Sequence, residues 1–432
     1  FLVADDPCCQ GVHVYMLCLP VIHFLWGILV AMPLTDLPFG TTKTPLQILP
    51  LQDQFLWAGF TRSAVHFARK LTHCIRITPT LLQDFSPQMW ASIPGVIAHH
   101  YKNKSINWPM GIYISLVHVV AAVGLFTVLD CKAETLLWAF VLWPISGFGI
   151  TVGVHRLWSH RSYEANILVR GFLMMCNCIA NQGSIFHWAR DHRVHHKHSE
   201  TDADPHNATR GFFFAHMGWL YVKKHDSVVE AGRHLSFDDL KADPVVMFQK
   251  KMDPWLPLYM CFVFPAQVAA HFWGEEFWNA FFVAGCLRYC VVLHFTWLVN
   301  SAAHIYGDHP YDLTSYPAEN PLVSLAAVGE GWHNWHHKYP YDYAASEFGV
   351  STQFNPSKLF IDAMAKIGFV WGRKRATGAW NLAKAGGAGY QEWCASALTA
   401  QASLGDQNEL IECWKKNDTE DSNTEDNDNY CI

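Results

Sequence analysis

The chain has 432 residues, 51% hydrophobic, 14% aromatic and 16% charged, where a soluble domain carries roughly 25% charged residues. With a formal net charge of -6, this balance excludes a chain that is disordered throughout and argues against a nucleic-acid binder. The 19 Trp suit a membrane–water interface, and 25 His against 31 Lys and Arg is a count that asks for a chemical reason.

The 13 Cys form no CxxC pair and keep no regular spacing, so they read as reduced thiols rather than a disulfide framework. Residues 11–33 are an uncharged apolar run about long enough to span a bilayer. They fit a signal or transit segment, an extra span, or mistranslated upstream sequence. Residues 34–108 are mixed, with Arg62, Arg69, Lys70, Arg76, Lys102 and Lys104, and show no recognisable chemistry.

Residues 109–129 carry no charge over a spanning length. A short linker, Asp130 to Glu134, leads to a second apolar run at 135–154, and the pair predicts a transmembrane hairpin. Residues 254–273 and 277–299 predict another, joined by Gly274-Glu275-Glu276. Arg288 falls inside its last span and should face protein or water, because a charge in lipid is costly. The stretch 155–253 is rich in Arg, Lys and His, while both hairpin tips are short and slightly acidic. The positive-inside rule places 155–253 and the C-terminal region in the cytoplasm and the tips in the lumen. Residues 165–186 are apolar but interrupted by Arg170, Asn177, Asn181 and Gln182, which predicts an interfacial or cap helix. From about 415 the chain is Asn-, Asp-, Glu- and Thr-rich and reads as a disordered tail. The resulting division is 1–106, an N-terminal region of unknown role, 107–372, a membrane domain, and 373–432, a polar tail. The fold class is an all-α integral membrane protein, with four transmembrane helices in two hairpins and a cytosolic helical cap.

Three histidine clusters lie on the inferred cytosolic side. They are His155 and His160 in HRLWSH, His192, His195 and His196 in WARDHRVHHKH, and His333, His336 and His337 in GEGWHNWHH. Residues i, i+3 and i+4 share one helix face, so each of the last two clusters can aim three imidazoles at one point. His304 follows the last span in Asn300-Ser-Ala-Ala-His304. A single HxxHH is weak, since a lone His is usually a surface or satisfied core residue. Three such clusters on one membrane face predict a metal site. Structural zinc takes four ligands, so nine imidazoles fit two ions better than one. Imidazole suits Zn, Cu, Fe and Ni, and spacing alone does not select among them. Two irons would activate O2 against an unactivated C–H bond, chemistry that a cofactor rather than a side chain supplies.

The stretches HRLWSHRSY (155–163), WARDHRVHHKHSETDADPHN (188–207), RGFFFAHMGWL (210–220), TWLVNSAAH (296–304) and GEGWHNWHH (329–337) closely resemble the membrane-bound acyl-CoA desaturases of the stearoyl-CoA Δ9 type. The resemblance covers roughly residues 107–372. It implies a His-rich non-haem di-iron centre, O2 as co-substrate, endoplasmic reticulum localisation, and electrons from NADH through cytochrome b5 reductase and cytochrome b5. The implied ligands are His155, His160, His192, His195, His196, His304, His333, His336 and His337, with Asn300 acting through a water. No Glu or Asp bridge is implied, unlike soluble di-iron bundles. The implied activity is insertion of a cis double bond into saturated C16–C18 acyl-CoA.

The resemblance also carries over substrate positions. Arg190, Asp191, Lys223, Lys224 and Trp297 match headgroup contacts, although Lys223 and Lys224 equally fit a solvated basic pair near anionic lipid. Trp188 and Gln182 match tunnel-lining positions, and Trp188 equally fits an ordinary core aromatic. Gly147 matches the closed end of the tunnel, where a small residue leaves room for a long chain; it also fits simple close helix packing. Departures from the family pattern are Gly183, His187, Met110, Trp332 and Trp335. His187, His198 and His294 are extra histidines without an assigned metal role. No cytochrome b5-type His-Pro-Gly-Gly motif is visible, so electrons are expected from a separate protein. A hydroxylase on the same kind of iron site and a metal transporter with midplane ligands are the rival readings.

Overall fold

The computed structural model describes residues 87–384. The run 11–33, the basic residues Arg62, Arg69, Lys70 and Arg76, and the tail from about 415 lie outside the described residues.

Four described helices are long and apolar enough to cross a membrane: Trp108–Asp130, Ala133–Ser159, Trp255–Trp273 and Phe277–Ile305. They fall on the four predicted runs, here called the first to fourth spans. The second and fourth continue past the predicted ends, which places His155 and His304 on helix rather than in loops. Pro109 opens the first span, where a missing N–H costs nothing. Gly274, at φ 61, ends the third in the left-handed conformation that only glycine takes cheaply.

The two short connections meet. Lys132 Nζ donates to the carbonyls of Trp273 and Gly274, both at 2.7 Å. Glu275 Oε2 accepts from Lys132 N at 2.7 Å and from Thr135 Oγ1 at 2.6 Å. Carbonyls left over at a helix end are thereby satisfied.

Arg288 is buried within the fourth span. Its guanidinium donates to the carbonyls of Ile179 (3.0 Å), Cys261 (2.7 Å) and Ala284 (3.1 Å), so the charge faces protein. The segment predicted as a cap or interfacial helix forms Ile167–Ala180, shorter than the spans. Ile167, Leu168 and Phe172 are exposed, while Leu173 and Cys176 are buried. This helix lies in backbone contact with the second span at Gly149. A Cβ there would fall 2.2 Å from Asn177 N, so no other residue permits the approach.

Beyond the spans lie shorter helices, including Ile185–His198, Asp226–Arg233, Pro244–Met252, Pro321–Ala326, His333–Lys338 and Pro356–Lys366. Glu164–Ala165 and Val370–Trp371 pair antiparallel, with Glu164 opposite Trp371. The largest core cluster joins the end of the second span (Val152, Val154, Leu157) to Leu173, Ile185, Ala189, Val246 and Ile361.

The packed body runs past the expected boundary at 372. Helix Thr377–Lys384 follows it, Arg375 donates to Asp342 at 2.9 and 3.1 Å, and Trp380 Nε1 donates to Glu347 at 2.9 Å. Arg375, which lies in the stretch read as tail, is thus held by an acid of the body.

Candidate metal centre

Each histidine cluster is aimed by its local backbone. His192, His195 and His196 lie on helix Ile185–His198, opened by Ser184, whose side chain accepts from His187 N. His333, His336 and His337 lie on His333–Lys338. His155 and His160 are five residues apart, which an α-helix would turn to different faces. The second span widens to i+5 hydrogen bonding over Gly149–Ser159, and His160 N donates to His155 O at 3.1 Å. That wide turn brings the two imidazoles together edge to face, with ring centres 4.8 Å apart.

The nine imidazoles divide into two groups. His155, His160, His192, His196 and His336 bring one ring nitrogen each within 4.8 Å of one another, as do His195, His304, His333 and His337. Nε2 atoms face Nε2 atoms: His155 to His336 at 2.9 Å, His160 to His192 at 2.8 Å, His196 to His336 at 3.0 Å, His304 to His333 at 3.0 Å and His333 to His337 at 3.1 Å.

Carboxylates stand behind the rings. His155 Nδ1 is 2.9 Å from Glu330, His195 Nδ1 is 2.9 Å from Asp204, and His304 Nδ1 is 2.6 Å from Glu200. A carboxylate at Nδ1 holds the proton there and leaves a lone pair on Nε2. Glu330 is in turn held by Arg156 at 2.7 Å, and the pair is buried. Arg156, despite its burial pushing the carboxyl upward, keeps Glu330 down at about 2. Burial first, then neighbouring imidazoles, hold His160, His192, His196, His333, His336 and His337 well below the ordinary histidine value. They are neutral and offer lone pairs. Burial would also lower His195, but Asp204 and Glu200 raise it. His206, packed against His195 with ring centres 4.3 Å apart, is pushed down by burial to about 3.

Clustered lone pairs with protons held outward repel one another unless cations lie between them. The donor set therefore fits two metal ions, one in each group. Ring nitrogens make up both groups, and the nearby carboxylates touch imidazoles from behind. Those carboxylates were missed in the sequence, although Glu330 stands three residues before His333 and Glu200 and Asp204 follow the second cluster directly.

A pocket opens on this centre, lined by His155, His192, His195 and His333 together with Trp143, Gly147, Trp188, Phe295, Val299, Asn300 and Val328. Asn300 thus faces the same space as the histidines. Trp188 stacks on His192 with ring centres 4.8 Å apart. A Cβ on Gly147 would meet Val328 Cγ2 at 2.5 Å. Val328 itself stands at φ 55, a strained backbone for a β-branched residue. Gln182 Nε2 donates at 2.8 Å to Thr296, a lining residue.

Arg190 and Lys224 both bind Asp191, Arg190 at 2.9 Å. Lys223 is exposed, its N–H donating to Ser105 O at 2.7 Å. Trp297 is buried in a packed cluster with Tyr289, Leu293 and Phe213, and it does not line the pocket. Trp335, one of the departures from the family pattern, is fully buried, with its indole N–H on Asp342 at 3.3 Å. His187 and His198 belong to neither imidazole group.

The fatty acid desaturase family model matches residues 135–346, which includes all three histidine clusters. Stearoyl-CoA desaturase 5 of Bos taurus is 52% identical over 284 residues, 66% of this chain and 83% of that protein. Stearoyl-CoA desaturase of Homo sapiens is 51% identical over 277 residues, 64% and 77% of the two chains. Acyl-CoA desaturase of Cyprinus carpio is 48% identical over 314 residues, 70% and 96% of the two chains. Four spanning helices, two imidazole groups and this degree of identity agree: the chain belongs to the fatty acid desaturase family and is of its stearoyl-CoA desaturase type.

Proposed function

We propose that the chain is an acyl-CoA desaturase that inserts a cis Δ9 double bond into saturated C16–C18 acyl-CoA for unsaturated fatty acid biosynthesis. The metal is iron in both groups, with O2 as co-substrate. Electrons come from cytochrome b5 and its NADH-dependent reductase. The protein sits in the endoplasmic reticulum membrane with its histidine face toward the cytosol, the orientation that the basic 155–253 segment favours.

One observation carries this reading: nine imidazoles gather in two groups, and four of them (His155, His192, His195 and His333) border a largely apolar pocket between the second and fourth spans. The five-histidine group would hold one iron and the four-histidine group the other, with Asn300 contributing through a water. When bound, the pair of irons supplies the oxidising power for removing hydrogen from an unactivated C–H bond. The residues of the chain do the rest. Trp143, Trp188, Phe295 and Val299 exclude water and hold a hydrocarbon beside the histidines. Neighbouring methylenes are chemically alike, so regiochemistry must come from this positioning. Glu330, Asp204 and Glu200 keep the Nδ1 protons of His155, His195 and His304 away from the pocket. Arg190, Asp191, Lys223 and Lys224 form the polar group for the CoA head, with Trp297 packed behind. Gln182 borders the tunnel through Thr296, and the small Gly147 sits at its closed end against Val328. Basic residues of the cap would dock an acidic cytochrome b5.

The test is expression in a desaturase-deficient yeast with fatty-acid profiling. Growth without added unsaturated fatty acid, with cis-Δ9 C16 and C18 products, is expected. Hydroxylated products, or no rescue by well-expressed protein, would overturn the reading.

A further inference from the structure

A second group of metal-ligating side chains lies apart from the nine imidazoles. His118 of the first span and Cys290 and His294 of the fourth are all buried, and one donor atom from each falls within 4.8 Å of the others. Cys290 and His294 are i and i+4 on one helix, so they share a face. His118 Nε2 faces His294 Nε2 at 3.0 Å. Nε2 atoms face each other at 2.8 to 3.1 Å within the candidate iron centre as well.

The protons can be traced from both ends. His118 Nδ1 lies 2.7 Å from the carbonyl of Ile114. A carbonyl only accepts, so this nitrogen carries the proton and His118 Nε2 is a bare lone pair. From the other end, Ser301 Oγ donates to Trp297 O at 2.9 Å, and it therefore accepts from His216 Nδ1 at 2.9 Å. His216 Nε2 is then an acceptor, and His294 Nδ1 donates to it at 2.9 Å. His294 Nε2 is left as a second bare lone pair, aimed at the first, with a thiol beside both. A cation in that gap satisfies every group in the chain. Without one, either a ring must carry a second proton in this buried site or the Ser301 hydroxyl must leave Trp297 O. A backbone carbonyl behind His118 is a usual support of metal-bound histidine, and the acceptor His216 Nε2 takes that place behind His294.

We propose that His118, Cys290 and His294 bind a third metal ion, zinc or copper(I), that ties the first span to the fourth. A thiolate with two imidazoles selects thiophilic ions over iron held by nitrogen alone, and three protein ligands leave one position open. Trp297, with ring centres 5.1 Å from His294 and 6.4 Å from His118, covers the site.

The test is elemental analysis of full-length protein purified from zinc- and copper-supplemented cells. One equivalent of zinc plus copper per chain is expected beyond the iron. Cys290→Ala and His294→Asn should each lose that equivalent and keep their iron. Absence of thiophilic metal from the wild type, or its retention in both variants, overturns the proposal. Should the variants not fold, wild-type protein grown in cobalt-rich, zinc-poor medium decides. Cobalt here gives a thiolate-to-metal charge-transfer band that an all-imidazole site cannot produce, and its absence overturns the proposal equally. The iron measured in the same samples reports on the main centre separately.

Discussion

Glu200 Oε1 stands 2.6 Å from His304 Nδ1, joining a loop residue held at φ 58 to the end of the fourth span. The carboxylate fixes both the tautomer and the angle of the ring. Behind a metal-bound imidazole, such a partner is worth about tenfold to a hundredfold in metal affinity. Glu200→Ala should therefore lower metal affinity in the four-histidine group alone. Iron titration of the purified variant should show one strong and one weakened equivalent. Two undiminished equivalents would mean that Glu200 serves only the loop.

The relationship also marks where sequence reading ends. The four spans were legible because an apolar run of that length with at most one charge has few other uses, and HxxHH spacing follows directly from the α-helical period. The split of the histidines into five and four was not legible. It depends on the wide turns of Gly149–Ser159, which bring His155 and His160 together against the α period. The carboxylates behind the rings were hidden for another reason: Asp and Glu beside a His-rich stretch look the same whether they face solvent or an imidazole. His294 and His118 are 176 positions apart, so only the packing of the first span on the fourth joins them.

Gly147 is where chain length should respond. Even a single added carbon would lie 2.5 Å from Val328 Cγ2. Val328 cannot swing freely, since its strained backbone is pinned by Ser357 Oγ on its carbonyl at 2.7 Å. Gly147→Leu should fill the pocket there and disfavour the longer substrate. In competition assays the ratio of C16 to C18 product is expected to rise about tenfold, the lower end of what a methylene controls in a pocket. An unchanged ratio at unchanged iron content would assign Gly147 to helix packing.

Arg288 should prove a structural residue. Its guanidinium serves the carbonyls of Ile179, Cys261 and Ala284, which belong to three different helices. Arg288→Met removes all three bonds and leaves the carbonyls in a dry interior, at a cost of roughly 3 kcal/mol. A lower thermal midpoint in detergent, with iron content per folded molecule unchanged, is the expected result. A variant as stable as the wild type would show that water or backbone relaxation replaces the guanidinium.

Asp362 gives the body a pH-dependent anchor outside the spans. It accepts from Lys358 at 2.7 Å, Tyr343 at 2.8 Å and Arg373 at 2.5 Å. Half-burial raises its carboxyl, but these three donors outweigh that and hold it below the ordinary value. A depressed folded-state value means the stabilisation is complete above the unfolded aspartate value of about 3.9 and is lost as pH falls through the folded one. Because the group is partly exposed, the contribution is about 0.5–1 kcal/mol. Asp362→Asn should lower the thermal midpoint at pH 7, and the gap to wild type should close as both are acidified below pH 4. A gap that persists in acid would show that shape, not charge, holds Pro356–Lys366 against Arg373.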